Sequence, residues 1–393
     1  MSELVYLDHN ATTQPCAEAI EEMLDSLHTV WANPSSTHAP GQAARRALAD
    51  ARTRVAAFLG CQGAELVFTS GATEANHMAV LGALERDPAR QRVVLSAVEH
   101  PGMLALATRL RAQGFAVDLI PVDAHGRLDL VVANALIRND VALVSVMGAN
   151  NETGVLMPVG ELAALAHAAG SLLHVDATQL LGKTAARFDA GGADLWSVSA
   201  HKVHGPKGVG ALIVRKGLGW PPLFSGRQER GRRGGTENIP GILGFAAAAE
   251  RAGRTLAHDV AHMRALQARL EAGLRAALPE AHLYGARAER LPNTTCLRFG
   301  TLDAEQVLGK LERAGVIASS GAACTAGGTQ PSHVLLAMGE PALHARASVR
   351  LSLGRETSAD EIDRTIAAAV KVIGPLLEST RESTHPAAES VAA

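Results

Sequence analysis

The chain has 393 residues, more than the roughly 250–300 at which a single core stops growing, so one large domain with a smaller one beside it is expected. Hydrophobic residues make up 47% and aromatic ones only 3%, so the cores must be filled with Ala, Leu and Val, as where helices pack on a parallel sheet. With 37 Lys and Arg against 39 Asp and Glu, the net charge of −2 gives no general attraction for nucleic acid or an anionic membrane.

No stretch approaches the roughly 20 apolar residues of a membrane span, and the opening residues lack a cationic run followed by an apolar one, so a cytoplasmic location is expected. Cys16, Cys61, Cys296 and Cys324 are scattered, with no CxxC pair and no His at zinc-motif spacing; neither a disulfide nor a bound metal is expected.

In chain order, helical periodicity begins at 42–59 and stops at Gly60. A strand follows at 66–69, then a helix at 73–84, a strand at 93–96 and a helix at 102–113 stopping at Gly114. Strands at 117–120 and 141–147, a helix at 159–169 stopping at Gly170, and strands at 172–175, 195–199 and 211–214 complete the run. This alternation predicts an α/β fold over residues 12–256, a mostly parallel sheet with crossover helices. An Ala/Arg/Leu helix over 242–278 could connect two domains, and strands at 295–299 and 348–353 with helices at 304–314 and 359–377 suit a compact α+β unit. Residues 1–11 and 257–380 are assigned to this smaller domain, and the polar, Ala-rich stretch 381–393 is expected to fray.

In open α/β sheets ligands sit beyond the carboxyl ends of strands, and four such ends are unusually polar. After 66–69 the chain turns through Gly71 into a helix whose first N–H groups suit a phosphate, although Ser70 or Thr73 could equally be an ordinary cap. Asp176 follows a buried strand and calls for a cation, such as a protonated pyridine nitrogen, or else caps the next segment. Ser199-Ala200-His201-Lys202 brings hydroxyl, imidazole and amine to one strand end; a desolvated amine there sheds its proton readily, as a Schiff-base lysine requires, while a surface lysine in a polar loop is the plainer reading. His100 follows 93–96 and is either an imidazole for the site or a helix-start residue. A phosphate cradle, a carboxylate, an imidazole and a lysine on one α/β domain are together what pyridoxal phosphate requires.

Several runs carry a family resemblance: Tyr6-Leu7-Asp8-His9-Asn10-Ala11-Thr12-Thr13, Gly71-Ala72-Thr73-Glu74, Asn150-Asn151-Glu152-Thr153-Gly154, His174-Val175-Asp176, Ser199-Ala200-His201-Lys202, Gly235-Thr236-Glu237-Asn238 and Ser319-Ser320-Gly321-Ala322-Ala323-Cys324-Thr325. Over nearly its whole length the chain resembles the cysteine desulfurases that supply sulfur for iron–sulfur clusters, including the nitrogen-fixation type. The resemblance implies the fold of type I pyridoxal phosphate enzymes, as a homodimer with its sites near the subunit interface. It implies that Lys202 carries the cofactor, Asp176 pairs with the ring nitrogen, Gln179 bonds the ring hydroxyl, and His100 stacks on the ring and helps with protons. Ala72, Thr73, Ser199 and His201 would hold the phosphate, with Thr236 reaching it from the other subunit. Asn151 would lie near ring and substrate, and Arg350 would grip the substrate carboxylate.

Cys324 separates this activity from other chemistry of the cofactor. Its small, polar flanks describe a mobile loop better than a packed core, and the resemblance implies that it takes the sulfur of L-cysteine as a persulfide, leaves alanine, and passes the sulfur to an iron–sulfur scaffold or other acceptor protein. The alternatives are a selenocysteine lyase or aminotransferase, which would need Lys202 but not Cys324, and a nucleotide-binding or scaffolding α/β protein, which would need neither. One departure is Arg227, a bulky cation where relatives tend to have glycine.

Overall fold

Successive residues of a strand face opposite sides, so a strand buried on both faces divides its side chains between two cores. In Arg92–Ser96, Val93 and Leu95 join one hydrophobic cluster and Val94 joins another. In Gly210–Val214, Leu212 and Val214 face the first cluster, while Ala211 and Ile213 face the second. These are the two sides of a seven-stranded sheet covered by helices, as the computed structural model shows; it describes residues 4–321 and 330–384. Cys324 therefore lies outside the described residues, as do residues 385–393.

The sheet runs in the order Leu66–Thr69, Gly210–Val214, Leu195–Ser199, Leu172–Asp176, Val141–Met147, Arg92–Ser96 and Ala116–Ile120. Gly210–Val214 is antiparallel to both neighbours, and the other pairings are parallel, so the mostly parallel sheet expected from the alternation is what forms. Every strand read from the sequence is present within a residue at either end. Two helices begin three residues earlier than expected, at Ala39 and Ile239, each with a proline in its first turn. Proline lacks only an N–H that the first turn leaves unbonded, so it opens these helices instead of delaying them.

The 39-residue helix Ile239–Ala277, roughly 58 Å long, joins two cores. Its Ala-rich first part, including Phe245, Ala246 and Ala249, packs on the large sheet, and Leu266, Leu270 and Leu274 enter a separate cluster at a four-residue spacing. That second cluster covers an antiparallel sheet of Ser319–Ser320, Ser348–Ser352, Thr294–Phe299 and Ala281–Leu283. Val5 and Leu7 lie in it too, and Val5–Tyr6 pairs in parallel with Val316–Ile317. The last helix, Ala359–Thr384, extends into the stretch expected to fray. Among the described residues no helix is long and apolar enough to cross a membrane.

The helix Ala17–Thr29 was not read from the sequence. Its large apolar residues Ile20, Leu24 and Leu27 are exposed, and its inward side is made of Cys16 and Ala19 against Ala247 and Ala248. Small residues let the two helices approach closely, so the apolar stripe that usually announces a buried face points outward here.

At the site end of the sheet, Gly210 stands so close to its neighbours that an added Cβ would lie 2.4 Å from the Val198 carbonyl oxygen and 2.7 Å from the Gly71 Cα. Both contacts are backbone, so neither can swing away. Gly210→Ala is expected to lower unfolding free energy by about 1–3 kcal/mol, the cost of overpacking a close-packed interior; denaturant unfolding of the two proteins measures it.

Candidate active site

Because the sheet is parallel apart from one strand, the carboxyl ends of Leu66–Thr69, Arg92–Ser96, Val141–Met147, Leu172–Asp176 and Leu195–Ser199 share one edge. A cavity of about 490 Å³ opens there. Its lining includes His100, Ala72, Thr73, Asn151, Asp176, Gln179, Ser199, His201, Lys202 and Arg350, so residues spread over most of the chain meet in one place. Thr236 does not line it; the residue is exposed on the loop before Ile239–Ala277, where the expected reach is to a second subunit.

The helix Ala72–Arg86 starts at this cavity with Gly71 as its cap residue and no side-chain cap, so neither Ser70 nor Thr73 serves as the ordinary cap that was the plainer reading. Its first N–H groups and the positive end of its dipole thus remain for an anion. One turn on, Asn76 Nδ2 donates to Asp176 Oδ2 at 2.8 Å, and the Thr178 N–H donates to Asp176 Oδ1 at 3.0 Å. Asp176 is 8% exposed, and both of these donors are neutral, so its charge is left for a cation in the cavity.

Lys202 ends a short 3₁₀ turn, Ala200–Lys202, directly after Leu195–Ser199. Its Nζ donates to the carbonyl oxygens of Asn10 at 2.5 Å and Ala11 at 2.7 Å. The N-terminal segment thus holds the amine in place. It also holds the turn that follows: His204 has a positive φ of 64°, its N–H donates to Thr13 Oγ1 at 2.8 Å, and its ring meets the Gln14 carbonyl. His201 Nδ1 is 3.1 Å from Thr12 Oγ1, and burial, followed by the charges of Lys202, Lys207 and Lys183, pulls its pKa down to about 4.

His100 starts a helix and also faces the cavity. Its Nδ1 accepts the Gly102 N–H and caps Pro101–Ala112, and the ring also lines the cavity. Burial lowers its pKa, Asp176 opposes this and Lys202 adds to it, so the neutral ring carries its proton on Nε2. Arg350 is 2% exposed on Ser348–Ser352; it donates to Asp8 Oδ1 at 2.7 Å and to the Asn151 carbonyl at 3.0 Å, and its Nε is buried without a partner.

Sequence reasoning did not single out Asn10, Asn76, Lys183 or Glu152. Asn76 had a signal, since it lies three residues beyond Thr73 on the same helix face. Glu152 lies in the Asn150–Gly154 run but had no role attached to it: its carboxyl accepts from Ser332 Oγ at 2.5 Å and stands 3.0 Å from where a Cβ on Gly321 would be, between the two described ends that flank residues 322–329. Burial pushes its pKa up to about 7. Arg227 is exposed, and close packing in its loop is carried instead by Gly226 against the Gly234 backbone.

The aminotransferase class-V family matches residues 5–365. The chain is 47% identical over 392 residues to a cysteine desulfurase of Cereibacter sphaeroides, covering 99% of this chain and 100% of that one. It is 44% identical over 374 residues to the cysteine desulfurase NifS of Azotobacter vinelandii, covering 95% and 93%. Its structure superposes on a NifS-like protein with a TM-score of 0.88 at 34% identity, covering 94% of this chain and 99% of the other. SspA in complex with cysteine is similar with a TM-score of 0.76 at 29% identity, covering 90% and 100%.

Beneath the cavity, Glu99 is fully buried, accepting from Ser96 Oγ and from the Met147 N–H at 2.8 Å. Burial pushes its pKa up to about 8, the two hydrogen bonds pull the other way, and the charge of Asp176 adds to the rise. The folded protein therefore keeps a proton that the unfolded chain releases near 4.5, and this residue costs stability increasingly as pH climbs from about 4.5 to about 8. Glu99→Gln keeps an acceptor oxygen and cannot ionise. Its stability relative to the parent is expected to improve between about pH 5 and about pH 8, measured by denaturant unfolding at both values.

Proposed function

The chain belongs to the aminotransferase class-V family, and from that membership we propose that it is a pyridoxal-phosphate-dependent cysteine desulfurase, converting L-cysteine to L-alanine and taking the sulfur onto Cys324. The observation that carries the reading is the meeting of Lys202, Asp176, Arg350 and an uncapped helix N-terminus in one cavity.

The donor set fits the cofactor. The phosphate would take the N–H groups of Ala72 and Thr73 with Ser199 and His201 beside them; the ring nitrogen would meet Asp176, whose charge is turned to the cavity by two neutral donors. Gln179 and Asn151 would face the ring hydroxyl and the substrate, and His100 the ring. Bound there, pyridoxal phosphate would supply an electron sink for the charge left when the substrate loses its α-proton. Thr236, exposed and outside its own chain's cavity, would complete the phosphate site of a second copy.

Arg350 grips the substrate carboxylate, its planar fork held by Asp8 and the Asn151 carbonyl so that little freedom is lost on binding. Lys202 takes the α-proton at Nζ, steadied over the Asn10 and Ala11 carbonyls. His100, neutral, holds a proton at Nε2 beside the reacting atoms. The Cys324 thiolate then attacks the substrate sulfur: an S–S bond forms, the C–S bond breaks and its electron pair goes to the substrate β-carbon, which takes up a proton, while the proton held by Lys202 returns to the α-carbon and alanine leaves.

Placement of Cys324 is supported from its described flank. Ser319 pairs with Arg350 across the ladder, and the Gly321 N–H bonds the Ser348 carbonyl. Residue 324 follows Gly321 by three positions, a span of at most about 11 Å, which supports the reading that its thiol serves this cavity. The persulfide would then pass its sulfur to an acceptor protein for iron–sulfur cluster assembly.

Purified protein with pyridoxal phosphate, L-cysteine and an added thiol reductant that discharges the persulfide is expected to form alanine and sulfide together. Cys324→Ala should abolish sulfide release while the visible absorption of the bound cofactor remains; sulfide release that persists in this variant would mean a lyase that needs no enzyme thiol. Arg350→Lys keeps a charge but loses the fork, so a rise of about tenfold or more in KM for cysteine is expected in steady-state assays.

A further inference from the structure

Lys183 is the buried amine that the reaction leaves without a part. It is 5% exposed, and its Nζ donates to Gln179 Oε1 at 2.6 Å. The other end of that amide, Gln179 Nε2, donates to the Asn10 carbonyl at 3.0 Å, the same oxygen that receives Lys202 Nζ at 2.5 Å. One connected line therefore runs from Lys183, behind the cavity lining, to Gln179, Asn10 and Lys202, which line it.

A glutamine amide has two orientations half a turn apart, one offering oxygen and the other offering N–H. Here the carbonyl of Asn10 can only accept and the amine of Lys183 donates, so both neighbours select the same orientation. The amide oxygen is consumed, and one of the two N–H groups is left for the cavity that Gln179 lines. The Asn10 restraint is main chain and survives any substitution. Lys183 is the restraint that a side-chain change removes, and without it a buried amide oxygen loses its partner, a penalty large enough to let the amide turn or shift.

We propose that Lys183 is a positioning residue that holds Gln179 as a hydrogen-bond donor toward the cavity, so that an anionic oxygen there, the ring oxygen of pyridoxal phosphate, is stabilised rather than repelled. This rests on the cofactor reading of the site. A direct charge effect is the competing role, and the surroundings of Lys183 argue against it. Burial first, then the charges of Lys202 and Arg350, hold its pKa well below the usual lysine range, and its own charge would in turn oppose protonation of His9 and His201. A neutral amine still donates to Oε1.

The test is a double-mutant cycle on the holoenzyme, following the pH midpoint of the cofactor's visible absorption. Lys183→Met is expected to raise the midpoint by about one to two pH units, the worth of one hydrogen bond to a charged oxygen. Gln179→Leu should raise it by a similar amount, and the double variant should shift no further than Gln179→Leu alone. An unmoved midpoint in Lys183→Met overturns the proposal, and so does an equal further shift in the Gln179→Leu background, which would mark a charge acting through space. Should Lys183→Met fail to accumulate folded, Lys183→Gln takes its place in the same cycle: its retained N–H is expected to leave the midpoint near that of the parent, and a shift matching Gln179→Leu overturns the proposal. Parent protein that develops no visible band with added pyridoxal phosphate defeats the cofactor reading instead, before any variant is compared.

Discussion

The carbonyl oxygen of Asn10 receives both Lys202 Nζ and Gln179 Nε2, and the rest of the site is arranged around the segment that supplies it. Residues beyond Val5–Tyr6 form no long ladder of their own, so their main-chain groups need partners elsewhere. They find them on both sides. Asp8 pairs with Arg350, the Asn10 side chain donates to the Asn151 carbonyl and Thr294 Oγ1, Thr12 meets His201, and the Thr13 hydroxyl both donates to the His201 carbonyl and accepts the His204 N–H. A short stretch thus ties the residues after Leu195–Ser199 to the antiparallel sheet that carries Arg350. The amine and the guanidinium are set relative to one another by hydrogen bonds to a common strap.

Burial decides which groups at the site keep a charge. His9, His174, His201 and His204 have pKa values drawn down to about 4 by desolvation, and Glu99 and Glu152 are pushed up to about 8 and about 7. Around these neutral groups stand Lys202 and Arg350, with Asp176 as the facing acid and the helix N-terminus at Ala72 as a partial positive charge. The pattern suits a ligand that brings anionic oxygens at its ends and a cation at one point between. A phosphate, a carboxylate and a protonated ring nitrogen meet that description, and the cavity wall offers each a separate partner.

Much of the framework was legible in local pattern. Strands such as Val141–Met147 are continuous apolar runs bounded by turn residues, and their ends could be listed as candidate sites because ligands collect where parallel strands stop. Residues within a few positions of those ends, among them His100, Asp176, Ser199 and Lys202, do line one cavity. The helix Ala17–Thr29 was not legible, because it packs through Ala19 against Ala247 and Ala248 and turns Leu24 and Leu27 to solvent. Proline at the start of Ala39–Leu59 and Ile239–Ala277 concealed first turns that it in fact begins.

By itself, the amino-acid order determined the alternation of strands and helices and the polar character of the strand ends, because periodicity and turn chemistry act over a few residues. Only the tertiary structure decided that Asn76 would orient Asp176, that Lys183 would close on Gln179, and that Asn10 would offer its carbonyl to Lys202. Those pairs are up to 192 positions apart or depend on which way a buried side chain faces. Such contacts are set by the packing of whole elements against one another, and no local pattern records what lies across a gap that folding has closed.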